Sequence, residues 1–438
     1  MRDLSVSPSS SARLHAEVTI PGSKSYTNRA LLMAAQAEGV SRLYQASAST
    51  DSEAMAAALR KLGVTVREEK EGGSDVFVVE GQGGGFTPLK GEIDVGPAGT
   101  TMRFLTALCA GIRGADITLR GTERMHARPI RELVEALRSL GAEIDYLGSP
   151  GCPPLRIHSP QPLRGGTVTV DGSVSSQFIS ALLLTAPMHA QPLSVQVKGE
   201  QISKSYIDMT LQSVADFGVA FRNNGYRSYS TDGGRFQARE YHVEGDASGA
   251  SYLWGLAAVS GGTVTVHNIN PHSAQGDVQF PQLLAQMGCA VSLGERSVTV
   301  TGTPALLGID ADMSNMPDTA QTLAVIAAVA KGKTRITGLS TLRVKETDRI
   351  AALHTELSKL GITSEPGPDY IVVHGGEPHA ASIATYDDHR MAMSFAILGA
   401  RIANLVIQEP HVVEKSFPTF WRVLREAGLA VVESPGPQ

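Results

Sequence analysis

The octapeptide "LRKLGVTV", residues 59–66, ends a leucine-bearing helical turn at Gly63 and passes directly into a strand-like alternation. Glycine just past the last apolar turn of a helix takes the left-handed cap conformation without strain. The same punctuation returns as "LRSLGAEI" (137–144), "SVADFGVA" (213–220), "LLAQMGCAV" (283–291), "ELSKLGIT" (356–363) and "LREAGLAV" (424–431). The glycines, Gly63, Gly141, Gly218, Gly288, Gly361 and Gly428, are separated by 78, 77, 70, 73 and 67 residues. Near-constant spacing of one motif marks an internally repeated architecture.

Upstream of each glycine lies a second, more apolar helical stretch. These openings are "KSYTNRALLM" (24–33), "AGTTMRFLTAL" (98–108), "SSQFISALLL" (175–184), "DASGASYLWGL" (246–256), "PDTAQTLAVIA" (317–327) and "DDHRMAMSFAI" (387–397). Between the two helices run β-prone stretches such as "GADITLRG" (114–121), "GGTVTVHN" (261–268) and "KTRITGL" (333–339). Each copy reads as helix, strand, helix, strand, with further strands in the remainder, so the class is α/β. The segment "FRNNGYRSYSTDGGRFQAREYHVEGDA" (221–247), nearly without apolar periodicity up to residue 239, offers a break after the third copy. The expected division is one lobe of three repeats over 21–240 and a second over 241–438. Residues 1–20 then carry an orphan strand, within "ARLHAEVTIPG" (12–22), which needs a sheet to join. The C-terminal lobe is its expected host.

The composition narrows the function classes. The chain has 438 residues, 42% hydrophobic and 18% charged, with a net charge of −5, an ordinary globular balance that favours neither nucleic acid nor an anionic membrane as partner. Cys109, Cys152 and Cys289 lie far apart, without disulfide or zinc spacing, and read as reduced thiols. The first 20 residues lack a signal-peptide core and no run approaches the ~18 apolar residues of a membrane span, so the cytoplasm is expected. His374 and His379 lie in a Gly/Pro loop without companion ligands, and H-E-x-x-H, G-x-S-x-G and the P-loop are absent. "GQGGGF" (81–86) has no helix after it to make a dinucleotide fingerprint. No metal and no cofactor are expected.

Chemistry concentrates at the helix openings. They carry Lys24, Ser25 and Arg29; Gly99, Thr100 and Arg103; Ser175, Ser176 and Gln177; Asp246 and Ser248; Asp318; and Asp388, His389 and Arg390. Each hydroxyl or Asp also reads as an ordinary N-cap. Lys24, Arg29 and Arg390 do not, because a cation opposes the dipole at a helix N-terminus, and their recurrence points to anions arriving there. Arg128, directly before Pro129, reads as a further cation at a helix start. The mixed cluster in "LRVKETDRI" (342–350), with Arg343, Lys345, Glu346, Asp348 and Arg349, fits either a solvated helix face or a site.

Taken in order, "PGSKSYTNRALLMAA" (21–35), "AGTTMRFL" (98–105), "RPIRELVEALRSLGA" (128–142), "DGSVSSQFISALLL" (171–184), "LRVKETDRI" and "DDHRMAMSFAI" resemble the 5-enolpyruvylshikimate-3-phosphate synthase family. The resemblance runs from residue 21 to about 420 and implies a two-lobed inside-out α/β barrel. It would contain six βαβαββ repeats, three per lobe, around a central cleft that closes over substrate. It implies transfer of the enolpyruvyl group of phosphoenolpyruvate to the 5-hydroxyl of shikimate 3-phosphate, with release of phosphate, by a protein expected to be a monomer.

By motif, Lys24, Ser25, Arg29, Ser175, Ser176, Gln177, Ser203, Tyr206, Asp318, Thr341 and Lys345 would bind shikimate 3-phosphate. Lys24, Gly99, Arg128, Gln177, Arg349, Arg390 and Lys415 would hold phosphoenolpyruvate. Asp318 is implied as base on the 5-hydroxyl, with Glu346 and Lys24 as proton carriers at the methylene. Pro97, Phe104 and Thr341 depart from the family pattern; Gly99 is retained, so the competitive inhibitor glyphosate is expected to fit a modified loop. Two alternatives share the fold: the UDP-N-acetylglucosamine enolpyruvyl transferases, expected to show a reactive loop Cys, and a catalytically idle anion-binding scaffold.

Overall fold

The computed structural model describes residues 2–8 and 14–434, which pack as two compact units, Gly22–Val243 and the remainder. Among the described residues there are six four-stranded sheets, one for each cap glycine. The second copy shows the plan: strand Lys90–Asp94, helix Gly99–Gly111, strand Ala115–Arg120, helix Arg131–Ser139, then strands Glu143–Tyr146 and Leu155–Ser159. The first two strands pair in parallel across the helix, and the other pairs are antiparallel. All six cap glycines are left-handed, with φ of 84°, 106°, 92°, 103°, 80° and 101° in chain order.

The two helices of each copy play different parts. Arg131–Ser139 buries only Leu133, Val134, Ala136 and Leu137, the single stripe of an amphipathic surface helix. The opening helices have no polar face along their bodies: Ala320–Ala327 and His389–Ala396 are buried throughout, and Ser176–Thr185 everywhere but Gln177. Helices apolar on all sides belong in an interior, so those of each unit pack together at its centre while the sheets lie outside. Gly255 makes one such crossing possible, since a Cβ there would stand 2.9 Å from Ile397 Cδ1 and 3.1 Å from Ile326 Cδ1.

The orphan strand is found as His15–Thr19, parallel to Thr263–His267. Ala12 and Arg13 of the expected segment lie outside the described residues. Glu240–His242 pairs in parallel with Arg42–Tyr44 in the first sheet of the same unit, so that unit runs to Val243 rather than ending at the expected residue 240. Three readings need correction. The N-terminal segment holds two strands, because Leu4–Pro8 also pairs, antiparallel, with Leu429–Glu433 and with Leu405–Ile407. The stretch after residue 221 is not a plain break: Arg222–Asn223 and Ser228–Ser230 complete the third sheet around a wholly buried Tyr229, in strands too short to show a period. Pro129 does not open a helix, which begins two residues later at Arg131 behind Ile130.

The cap glycines and the close-packed glycines carry different constraints. Gly63→Ala meets nothing within 4 Å and is expected to cost only the left-handed strain, about 1 kcal/mol in urea denaturation. Gly302→Ala would set a Cβ 2.2 Å from the Ala257 carbonyl oxygen and is expected to cost several times more. Equal losses would contradict this division.

Candidate active site

In the unit Gly22–Val243, the tight approach of Gly22 to the Gln45 carbonyl leads into helix Lys24–Gln36, capped by the Ser23 side chain. Lys24, its first residue, pairs through Nζ with Asp51 Oδ2 at 3.0 Å; Asp51 is 2% exposed in the first turn of helix Thr50–Lys61. The charge of Lys24 at a helix start is thus partly offset inside the protein. Arg29 stands a turn deeper and is 2% exposed. Its Nε donates to Thr210 Oγ1 at 2.9 Å, Nη1 to the Ser25 carbonyl at 2.9 Å and Nη2 to the Tyr206 carbonyl at 3.1 Å. Its guanidinium also lies over the Phe104 ring, 5.4 Å from the centroid, which gives the departure at Phe104 a packing role. Burial pulls the Arg29 pKa down to about 10, against the nearby Tyr26, Tyr206 and Tyr241 hydroxyls, so it remains cationic at neutral pH. Among the described residues no carboxylate pairs with it, and a buried cation left with neutral acceptors suits an anion.

The neighbouring openings add small donors. Ser175 Oγ caps Gln177 N at 3.3 Å, and Gln177 Nε2 reaches Thr100 Oγ1 at 3.2 Å. Ser176 is the buried first residue of its helix, and left-handed Ser203 precedes helix Lys204–Asp216, which carries Tyr206. Arg103 donates to the Gly99 carbonyl at 3.1 Å and the Pro129 carbonyl at 3.0 Å, tying two segments together. Gly99 faces Arg128 so closely that a Cβ would stand 2.5 Å from Arg128 Nη1.

The other unit gathers charge around Arg349, which is 1% exposed. Nε donates to Asp388 Oδ2 at 2.7 Å, Nη1 to Asp318 Oδ1 at 3.1 Å and Nη2 to Glu346 Oε2 at 2.9 Å. Burial works against the charged form, yet Asp388, Glu346 and Asp318 together outweigh it and raise the Arg349 pKa. Arg390 Nη2 meets Asp318 Oδ2 at 3.0 Å and Nη1 meets the Tyr252 hydroxyl at 3.2 Å; Lys345 lies 3.7 Å from Asp318, and Lys415 3.6 Å from Glu346. Burial pushes Tyr252 up to about 12, so it stays a neutral hydroxyl. Four cations and three carboxylates pair here, and Asp277 lies near enough to feel the charges of Asp318 and Arg390. Thr341, in the turn Ser340–Val344, has a buried hydroxyl without a hydrogen-bond partner.

The motif "LRVKETDRI" is therefore not a solvated face. In the sequence Asp51 carries only the signal of a first-turn helix acid, Tyr252 that of a core aromatic and Asp388 that of a helix opening. Among the described residues no three His, Cys, Asp or Glu side chains are placed to hold a metal ion. Cys109 is buried, which raises its thiol to about 12 and leaves it inert.

The chain matches the family model of EPSP synthase (3-phosphoshikimate 1-carboxyvinyltransferase) over residues 8–424. It is 43% identical to the 3-phosphoshikimate 1-carboxyvinyltransferase of Methanosphaerula palustris, over 94% of this chain and 96% of that one. It is 45% identical to the enzyme of the same name from Edwardsiella ictaluri, over 94% and 95%. In structure it is similar to EPSP synthase from Acinetobacter baumannii, with a TM-score of 0.81 at 26% identity over 99% of this chain and 100% of that one.

Asp277, 5% exposed, accepts from Ser248 Oγ, and its Oδ1 has no partner. Burial and the Asp318 charge push its carboxyl up to about 7 from an ordinary 3.8, with Asp246 adding to the rise and Ser248 and Arg390 opposing it. The folded state thus holds this proton more tightly than the unfolded chain. Its contribution to stability is complete below the ordinary value and is lost as pH climbs through about 7. Asp277→Asn should remove that decline, read as urea midpoints from about pH 4 to about pH 8; parallel wild-type and variant curves would refute it.

Proposed function

We propose, for a chain that belongs to the EPSP synthase family, that the residue sets of its two units serve one reaction with divided roles. The reaction itself is the transfer of the enolpyruvyl group of phosphoenolpyruvate to the 5-hydroxyl of shikimate 3-phosphate, with release of phosphate. The fold is the two-domain inside-out α/β arrangement shared with the Acinetobacter baumannii structure.

The observation that carries the assignment of roles is the single buried guanidinium of Arg349 holding both Asp318 and Glu346. Two carboxylates fixed to one rigid fork keep a constant separation, which suits a base and an acid acting at neighbouring atoms. Asp318 takes the proton of the 5-hydroxyl, whose oxygen attacks the enol carbon of phosphoenolpyruvate while Glu346, with Lys24, supplies a proton to the methylene. In the second half the new methyl group returns a proton to the same carriers, phosphate leaves with the electron pair of its carbon–oxygen bond, and the enolpyruvyl ether remains. Substrate anions that draw on Arg390 and Lys345 would leave Asp318 with less opposite charge and strengthen it as a base.

Arg29, Ser25, Ser175, Ser176, Gln177, Ser203 and Tyr206, with Lys24, Thr341 and Lys345, hold shikimate 3-phosphate. The support is the Arg29 charge without a carboxylate and the unpartnered Thr341 hydroxyl. Arg128 against Gly99, with Lys24, Gln177, Arg349, Arg390 and Lys415, holds phosphoenolpyruvate, supported by the gathering of Arg349, Arg390, Lys345 and Lys415 in one cluster. A cytoplasmic monomer is inferred, the location with support from three unpaired cysteines.

Phosphate release should require phosphoenolpyruvate and shikimate 3-phosphate together; release with UDP-N-acetylglucosamine instead would move the acceptor to the sister enzymes. Asp318→Ala is expected to lower kcat by about 1000-fold while calorimetry still detects shikimate 3-phosphate binding. Gly99→Ala, whose new Cβ displaces Arg128, should raise KM for phosphoenolpyruvate by about tenfold and leave that for shikimate 3-phosphate unchanged. Equal rises in both would break the assignment of Arg128.

A further inference from the structure

The loop that delivers Asp388 and Arg390 holds an unfavourable conformation. Thr385 and Asp388 close a turn through Asp388 N donating to the Thr385 carbonyl at 2.9 Å, and both residues inside it are left-handed, Tyr386 at φ 56° and Asp387 at φ 54°. Glycine and asparagine are the residues that take such paired positions readily; tyrosine and aspartate are held there by their surroundings.

What holds them is Glu356, a carboxylate with no exposed surface on helix Arg349–Lys359. Its Oε2 accepts from the Ala384 backbone N at 3.1 Å, just before the turn, and its Oε1 accepts from the Tyr386 hydroxyl at 2.5 Å, inside it. Lys359 Nζ, a turn along the same helix, meets Oε2 at 2.8 Å and supplies the opposite charge that a buried carboxylate needs. Burial and the Glu356 bond push the Tyr386 hydroxyl up to about 12, so it remains a donor across the working pH range.

Glu356 lies seven residues, two helical turns, from Arg349, on the same face of the helix. One helix therefore grips this loop twice: Arg349 binds Asp388 at the loop's end, and Glu356 binds Ala384 and Tyr386 at its start. Asp388, wholly buried, in turn caps Arg390 N at 2.8 Å, which fixes where the Arg390 side chain departs toward Asp318.

We propose that Glu356 is a positioning residue for the reaction: by holding the left-handed turn Thr385–Asp388 it aims Arg390 at phosphoenolpyruvate without touching substrate. The inference rests on the reading of Arg390 as a phosphoenolpyruvate ligand. It predicts a change in one substrate's KM, which a merely structural role would not give.

Steady-state phosphate release from the full-length enzyme tests it, with Glu356→Gln, which keeps the shape but loses the charge, and Tyr386→Phe, which removes one partly buried hydroxyl, leaves Lys359 donating to the same Glu356 oxygen and should fold. Each is expected to raise KM for phosphoenolpyruvate, Glu356→Gln by about tenfold, with KM for shikimate 3-phosphate unchanged. Adding Asp387→Gly, which takes the left-handed position without strain, should recover at least half of that rise. Unchanged kinetics in both single variants, even with a lowered melting temperature, overturn the proposal, as do equal rises in both KM values or a failure of Asp387→Gly to recover any of the loss. Arg390→Lys separates the two levels. If it raises KM for phosphoenolpyruvate while Glu356→Gln does not, only the positioning role falls. If Arg390→Lys also leaves that KM unchanged, the reading of Arg390 fails and the proposal with it.

Discussion

Arg349 is almost wholly withdrawn from water, and a guanidinium in that position must find partners for its charge and its N–H groups inside the protein. The transfer of an isolated charge into a protein interior costs several kcal/mol even after relaxation, and removal of one partner from a buried pair costs about 3–5 kcal/mol. Asp318, Glu346 and Asp388 answer that demand from three different segments: a short turn before helix Ala320–Ala327, the loop before helix Arg349–Lys359, and the cap of helix His389–Ala396. The segments are thereby drawn to one point, and each brings a further group. Arg390 and Lys345 come to Asp318, and Lys415 comes to Glu346. Arg390, Lys345 and Lys415 are thereby held beside carboxylates rather than spread over the surface.

The unit Gly22–Val243 solves a related problem in another way. Its most buried cation, Arg29, has a hydroxyl, two carbonyls and an aromatic face as partners rather than a carboxylate. Its charge is solvated by dipoles but not neutralised, so an incoming phosphate has no resident anion to displace. Lys24 is different, since Asp51 already pairs with it, and a substrate that draws on Lys24 competes with that bond.

Both arrangements depend on opening helices buried along most or all of their length. An opening helix such as Ala320–Ala327, apolar on every side, can sit only in the interior, and its N-terminal end then carries the polar residues. The six cap glycines end the companion helices so that each chain segment can return into its sheet, and all six adopt the left-handed conformation their position calls for. That much was legible in the sequence because cap chemistry and apolar periodicity are local: a residue's neighbours within a turn or two decide them. The family resemblance, likewise carried by short contiguous motifs, named the candidate residues from Lys24 to Lys415.

What the sequence could not show lies in pairings between distant residues. Leu4–Pro8 is an unremarkable run until it lies beside Leu429–Glu433, and His15–Thr19 and Glu240–His242 change sheets although nothing in either strand specifies its partner. Asp51 reads as an ordinary first-turn acid until Lys24 is 3.0 Å away, and Glu356 as one charge of a surface helix until Ala384 and Tyr386 close on it. By itself the sequence determined the repeats, the helix ends and the residue types available for chemistry, since these follow from short-range sterics and hydrophobic period. Only the tertiary structure decided which charges are buried together, because burial and ion pairing depend on distance in space, and that distance is unrelated to separation along the chain.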